Sequence, residues 1–251
     1  MAQNIILIET STALCSVALA ENGQITAYRE SSAPKAHASL TAVFIQEMLE
    51  ERGLTVADCD AVCVSKGPGS YTGLRVGVST AKGLCFGSGL PLLAVGTLDT
   101  LVAQALCHPE LTCHPEHSEG FPYRYIIPMI DARRMEVYTA VFAPSFGNAA
   151  EANGPSHYIQ LTETAPAIID ENSFAEYLEQ GSCLFIGDGA GKCADVIKHP
   201  NAQFCQCHPN AAAMLKPALA AYNEKRFEDV AYFEPFYLKE FVATVSKKKL
   251  F

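Results

Sequence analysis

Long apolar runs are absent from this chain of 251 residues, and so is a basic leader at its N-terminus. The first apolar stretch, Ile5-Ile6-Leu7-Ile8, is far shorter than the roughly 20 residues that a membrane-spanning helix needs. A secretory signal combines a positively charged segment with an apolar one, and neither is present. We therefore expect a cytoplasmic protein with no membrane contact.

Basic residues are also scarce, with 18 Lys and Arg against 27 Asp and Glu and a net charge of −9. Nucleic-acid-binding proteins contact phosphates through clusters of Lys and Arg. The one basic block, Lys247-Lys248-Lys249, has the position typical of a solvated tail. Any contact with RNA is therefore expected to be indirect, through a partner.

The ten cysteines lie mostly in apolar runs such as Ala61-Val62-Cys63-Val64, which is typical of buried thiols. Two groups contain residue types that bind metals and are candidate metal sites: Cys107-His108 with Cys113-His114 and His117, and Cys205-Gln206-Cys207-His208. The first has a Cys-x₅-Cys spacing wider than zinc sites use. In the second, we expect the two thiols to point to opposite faces of an extended segment. The sequence thus predicts no metal and no other cofactor.

The chain is 49% hydrophobic and 18% charged, which favours a packed core. Periodicity and turn signals predict a βββαβα order, with strands at 4–10, 15–20, 24–30 and 60–65 and helices at 39–52 and 72–86. A further strand and helix follow at 91–95 and 97–106. A new hairpin with strands at 125–131 and 136–142 marks a second lobe, in which a helix at 174–180 and a strand at 183–186 follow.

The predicted organisation is a first lobe at 1–106 completed by a helix at 210–225, an inserted loop at 107–122, a second lobe at 123–209 and a tail at 226–251. Asn210 is the expected N-cap of the late helix. In the tail, Pro235-Phe236-Tyr237-Leu238-Lys239 is apolar enough that we expect it to dock on the protein.

A glycine-rich loop runs from Lys66 to Gly73, between a strand and a helix. Backbone N–H groups at such a point can bind phosphate, which makes Gly67, Gly69, Ser70 and Thr72 candidate ligands. The loop lacks the lysine of a P-loop. A tight turn with Ser70 or Thr72 as the helix cap is the favoured interpretation.

Small residues recur every fourth position in the following helix, at Gly73, Gly77, Ala81 and Cys85. One side of that helix is nearly bare, so another helix can approach closely. The partner helix belongs to another subunit in one interpretation, whereas in the other the bare side packs on the chain's own sheet.

Three motifs carry a specific resemblance: Ile8-Glu9-Thr10-Ser11-Thr12, the run from Ser65 to Gly77, and Ile130-Asp131-Ala132-Arg133-Arg134. They resemble the TsaB (YeaZ) family of glycoprotease-like proteins. The resemblance implies an α/β, two-lobed actin-like ATPase fold (ASKHA, RNase H-like), in which each lobe is a mixed sheet flanked by helices. The βββαβα order agrees with that fold independently.

The resemblance also implies a role without catalytic residues. The related enzyme TsaD carries a metal-binding His-x-x-x-His on the helix after the first hairpin, whereas here His37 is followed four residues later by Thr41. A lone His is more often hydrogen-bonded or exposed than a metal ligand. Asp131, Arg133 and Arg134 are a candidate acid–base cluster, although charges at a strand end are usually a solvated edge.

In this family the second helix and the one before it form the subunit contact. The implied interface residues are Gly73, Val76, Gly77, Thr80, Ala81 and Leu84. The implied partners are TsaD, TsaE in a larger assembly, and transfer RNA only indirectly, with the chain acting as a scaffold for threonylcarbamoyladenosine synthesis. The alternatives are an independent actin-fold ATPase, a glycoprotease-like metallopeptidase, and a homodimer that uses the same helix.

Overall fold

The computed structural model describes residues 4–107, 123–145 and 157–239. Its first sheet has the strand order β3-β2-β1-β4-β5. The strands are β1 (Asn4–Glu9), β2 (Cys15–Glu21), β3 (Gln24–Ser31), β4 (Ala61–Gly67) and β5 (Leu92–Gly96). β1 to β3 are antiparallel, and β4 and β5 run parallel to β1.

β1 is central in this sheet and both of its faces are covered, which explains its unbroken apolar run. Ile6 and Ile8 pack in one core cluster, and Ile5 and Leu7 pack in another on the opposite face. The first cluster is completed by α1 (Ala36–Arg52) and α2 (Tyr71–Ser88).

The next helix along the chain, α3 (Thr97–Cys107), turns Leu98 and Leu101 toward a cluster in the second lobe. It therefore packs across the junction between the lobes.

The second sheet has the order β10-β7-β6-β11-β12, with β8 pairing to β6 and to β9. Its strands are β6 (Tyr125–Asp131), β7 (Glu136–Thr139), β8 (Phe142–Ser145), β9 (His157–Gln160), β10 (Ala165–Ile168), β11 (Cys183–Gly187) and β12 (Ala202–Gln206). Two short helices, α4 (Ala175–Gln180) and α5 (Ala190–Ala194), accompany it. The chain then returns to the first sheet through a 3₁₀ turn and α6 (Leu215–Asn223), which cover the Leu7 face.

Several local predictions are confirmed. Gly53 ends α1 in the left-handed conformation, with φ of 67°. Asn210 caps the 3₁₀ turn before α6, its side chain accepting from the Ala213 N–H at 3.0 Å. The predicted strand at 136–142 is instead two strands, broken where the Val141 N–H donates to the Thr162 hydroxyl.

No helix within residues 4–107, 123–145 and 157–239 is long and apolar enough to cross a membrane. The segment 108–122, with most of the first Cys and His group, and the run Lys247 to Lys249 lie outside the described residues.

Candidate functional site

A cleft of about 880 Å³ opens between the lobes. This volume lies within the range of roughly 300–1,000 Å³ that small-molecule sites occupy. The first lobe lines it with the β1–β2 turn and the start of α2, and the second with the β6–β7 hairpin and Asp188. The C-terminal segment forms a further wall with Phe236, Tyr237, Leu238 and Lys239.

Polar side chains at the end of β1 lead directly into Ser11 and Thr12, which line the cleft. Glu9 is fully buried, and its Oε1 accepts a hydrogen bond from the Ser11 N–H at 2.7 Å. Burial raises the pKa of the Glu9 carboxyl, against a smaller opposing effect of hydrogen bonds from Ser11 and Ser65. The buried hydroxyls of Thr10 and Thr12 have no hydrogen-bond partner among the described residues.

The glycine-rich loop is held against β1 by backbone contacts. The Ser70 N–H donates to the Ser11 carbonyl at 2.6 Å, and a side chain at Gly69 would overlap that same carbonyl oxygen. Ser70 Oγ accepts from the Gly73 N–H at 3.3 Å, so Ser70, rather than Thr72, caps α2. The loop therefore has the tight-turn geometry that the sequence favours.

Three of the four candidate phosphate ligands, Gly69, Ser70 and Thr72, line the cleft. Gly67 does not, and it lies against the backbone of Phe236. Phosphate binding at these residues stays a prediction.

The small-residue side of α2 faces inward, which corrects the interface assigned to Gly73, Gly77 and Ala81. All three are buried. A side chain at Gly73 would overlap the Thr10 carbonyl oxygen, and one at Gly77 would overlap the Thr10 hydroxyl. The spacing of four residues places them on one side of the helix, and that side packs against Thr10 just after β1. The other three interface residues, Val76, Thr80 and Leu84, are half-buried and stay a prediction.

On the second lobe, Lys192 fixes the shape of the β6–β7 hairpin. Its ammonium group pairs with Asp131 and donates to the carbonyls of Arg134 at 2.7 Å and Glu136 at 2.6 Å. Asp131 also accepts from the Arg133 N–H at 2.8 Å. The Asp131 side chain therefore stabilises the turn between β6 and β7. Arg133 and Arg134 lie at an exposed edge of the cleft.

Behind this hairpin, Asp188 accepts from the Asp131 N–H at 2.9 Å. Burial raises the pKa of Asp188, and this effect is opposed by the hydrogen bond from the Asp131 N–H and, less strongly, by the nearby His208.

His37, the lone histidine of α1, is hydrogen-bonded as its sequence context predicts: Nε2 donates to the Thr12 carbonyl at 2.9 Å. Four residues on, Thr41 is buried and donates to the His37 carbonyl at 2.6 Å. In the described part of the chain, no group of three or more His, Cys, Asp or Glu is arranged to hold a metal ion.

The prediction that Cys205 and Cys207 point to opposite faces is wrong. Both pack against the same apolar cluster of the second lobe. In an extended segment residues i and i+2 point to the same face, so the alternation itself places the two thiols together. A hydrogen bond with Cys205, together with burial, raises the pKa of the Cys207 thiol.

Two lobes, each a mixed sheet flanked by helices, with a cleft between them, define the actin-like ATPase class of fold. Two solved structures share it: "YeaZ from Pseudomonas aeruginosa", with a TM-score of 0.76, and an uncharacterized P. aeruginosa protein with similarity to peptidase YEAZ, with a TM-score of 0.77. Each is 23% identical to this chain and matches over 94% of it and 100% of its own length.

Sequence comparison identifies the family. The profile described as "TsaD: tRNA N6-adenosine threonylcarbamoyltransferase" matches residues 30–247. The tRNA threonylcarbamoyladenosine biosynthesis protein TsaB of Escherichia coli K12 is 30% identical over 95% of this chain and 96% of its own length. The TsaB protein of Haemophilus influenzae is 30% identical over 99% of this chain and 98% of its own length. The chain belongs to the TsaB (YeaZ) family.

Proposed function

We propose that this chain is a non-catalytic scaffold subunit for the synthesis of threonylcarbamoyladenosine in transfer RNA, and that it binds a TsaD-type transferase. The observation that carries the proposal is the extent of the match to TsaB relatives, which covers nearly the whole of both chains. The transferase of Paracoccus denitrificans, in contrast, matches over 39% of this chain and 25% of its own length.

The surroundings of His37 support a role without metal chemistry. The metal pair implied for TsaD needs a second imidazole one helical turn after the first. That position is Thr41, whose hydroxyl contacts the Cys15 thiol at 3.3 Å and donates to the His37 carbonyl. The position is thus part of the core between α1 and β2.

The outward sides of α1 and α2 offer a surface for the partner. Phe86 on α2 is 87% exposed, and Val43 on α1 is 43% exposed. A side chain at Gly83 or Gly87 would have open space around it, so the backbone of α2 is approachable here. We call Val43, Gly83, Phe86 and Gly87 the α1–α2 face. We propose this face, rather than the buried side of α2, as the surface that contacts the partner.

The test is reconstitution: the chain is co-purified with the TsaD-type protein of its own organism, and modification of transfer RNA is measured with and without it. Phe86→Arg should weaken the complex about thirtyfold, because loss of an interface anchor costs about 2 kcal/mol or more. Ile168→Arg is the matched control, since Ile168 is 78% exposed on β10 of the other lobe.

Other outcomes separate the alternatives. Equal binding by wild type and Phe86→Arg would place the partner elsewhere, and full modification without the chain would end the scaffold proposal. Sedimentation of the chain alone tests whether a homodimer uses the same face, because Phe86→Arg should then give monomers. ATP hydrolysis or peptide cleavage by the purified chain would favour an independent ATPase or metallopeptidase. Adding TsaE to the reconstitution tests the larger assembly.

A further inference from the structure

The chain after α6 returns along the first lobe and is anchored there. The Glu228 N–H donates to the Leu92 carbonyl at 2.8 Å, against the edge of β5. Val230 and Phe233 pack against the apolar cluster beneath α1 and α2. The Lys82 ammonium on α2 donates to the carbonyls of Ala231 at 3.2 Å and Phe233 at 3.0 Å.

The following residues, 235–239, which we call the strap, run across the end of β4. The Phe236 N–H donates to the Lys66 carbonyl at 2.7 Å. Gly67 has φ of 102°, and a side chain there would come within 2.9 Å of the Phe236 carbonyl oxygen. A glycine at this position therefore allows the strap to lie flat. The Tyr237 ring packs on the Tyr71 ring at the start of α2, with centroids 4.7 Å apart.

At its far end the strap reaches the second lobe. Lys239 pairs with Glu136 on β7, and its ammonium group lies 5.8 Å from the centroid of the Tyr138 ring. Between Phe236 and Lys239 the chain therefore passes from one lobe to the other. These residues also form a wall of the cleft.

We propose that the strap is a latch that holds the lobes together, closed by the Lys239–Glu136 pair, and that its opening starts at Lys239 and spreads through Tyr237 to Phe236. On the first lobe the strap has a backbone hydrogen bond and an aromatic contact, which salt does not screen. The Lys239 and Glu136 side chains are 41% and 24% exposed, and ion pairs of that kind are weak and sensitive to salt. Opening the latch widens the cleft on this side.

The experiment uses the absence of Trp from the chain. Tyr237→Trp places a single fluorescent reporter in the strap, and acrylamide quenching measures its exposure. In that background, Lys239→Glu and Glu136→Lys should each raise quenching about two- to fivefold, as loss of a partly exposed ion pair allows. The double variant should restore the original value. Added salt should raise quenching in the parent and have little effect on Lys239→Glu.

Hydrogen exchange of the Phe236 amide, measured without the reporter, should follow the same pattern. Arg226→Glu is the control, because it breaks an exposed pair with Glu224 in the same tail without crossing the lobes. The latch is excluded if either single variant leaves quenching and exchange unchanged, or if the double variant fails to restore them. Equal acceleration of exchange in β1 and β4 would also exclude it, since that reports general loss of stability.

Discussion

Glu9, the last residue of β1, has a carboxyl group with no exposed surface. Its position at the end of an apolar strand is visible in the sequence. Its complete burial is not, because that depends on α2 packing over the strand end through Gly73 and Gly77. A carboxyl in such surroundings resists ionisation, since no solvent stabilises its charge. The stability of the protein should therefore depend on the protonation of Glu9.

The pKa of Glu9 in the folded chain lies above its ordinary value of 4.5. The folded chain thus keeps this proton at pH values where the unfolded chain has lost it. The resulting stabilisation is complete below the unfolded-state pKa and is lost as the pH rises through the folded-state pKa. Glu9→Gln stays neutral with a similar shape. We expect it to be more stable than wild type at about pH 8 and to lose this part of the pH dependence.

Urea unfolding at several pH values between about 5 and 8 measures both effects. Glu163→Gln, at an exposed position, is the control and should leave the pH dependence unchanged. If the unfolding free energies of wild type and Glu9→Gln change with pH in the same way, burial does not raise the pKa of Glu9.

At the scale of elements, α2 was predicted in position and cap but not in orientation. Its bounds, 71–88, are within two residues of the predicted 72–86, and Ser70 caps it. Periodicity shows which residues share a side of a helix, but it does not show which side meets the sheet when both contain small or apolar residues. Here one side packs on Thr10 and the other presents Phe86 to solvent.

Two glycines of α2 provide a matched test of that orientation. Gly73→Ala should lower the free energy of unfolding by about 1–3 kcal/mol, because the new methyl group overlaps the Thr10 carbonyl oxygen. Gly83→Ala has open space and should raise it by up to about 1 kcal/mol through better helix propensity. Chemical denaturation measures both. Equal effects of the two substitutions would contradict the inward orientation of the small-residue side.

Four short elements of the second lobe are not predicted from the sequence: β9, β10, β12 and α5. Each has four or five residues. β10 is an edge strand that contains Pro166, which weakens any strand prediction. Segments of this length have too few residues to show a period, and their structure depends on the strands beside them.

For the molecule as a whole, the cleft raises the question of nucleotide binding. Its size suits a ligand, and three of the candidate phosphate residues line it. No P-loop lysine follows the glycine turn, however, and Ser70 already serves as the α2 cap. We expect the isolated chain to bind ATP weakly, with a Kd on the order of millimolar, or about −4 kcal/mol.

Calorimetry with ATP and magnesium measures this affinity directly. Micromolar binding that is lost on substitution of Gly69 or Thr72 would show that the loop is a phosphate site after all. A Gly67 variant is the control for the Gly69 and Thr72 variants. Gly67 belongs to the same loop but lies against Phe236 rather than in the cleft. Its substitution should disturb the strap and leave any loop-mediated affinity largely intact.

The sequence by itself determined the local features of this protein: the buried strand β1, the first hairpin, the caps at Ser70, Gly53 and Asn210, and the motifs that lead to the family. These features depend on neighbours close in the chain. Tertiary structure alone decided the inward orientation of α2, the complete burial of Glu9, and the path of the strap. Each of those depends on contacts between distant segments, whose competing arrangements local periodicity does not distinguish.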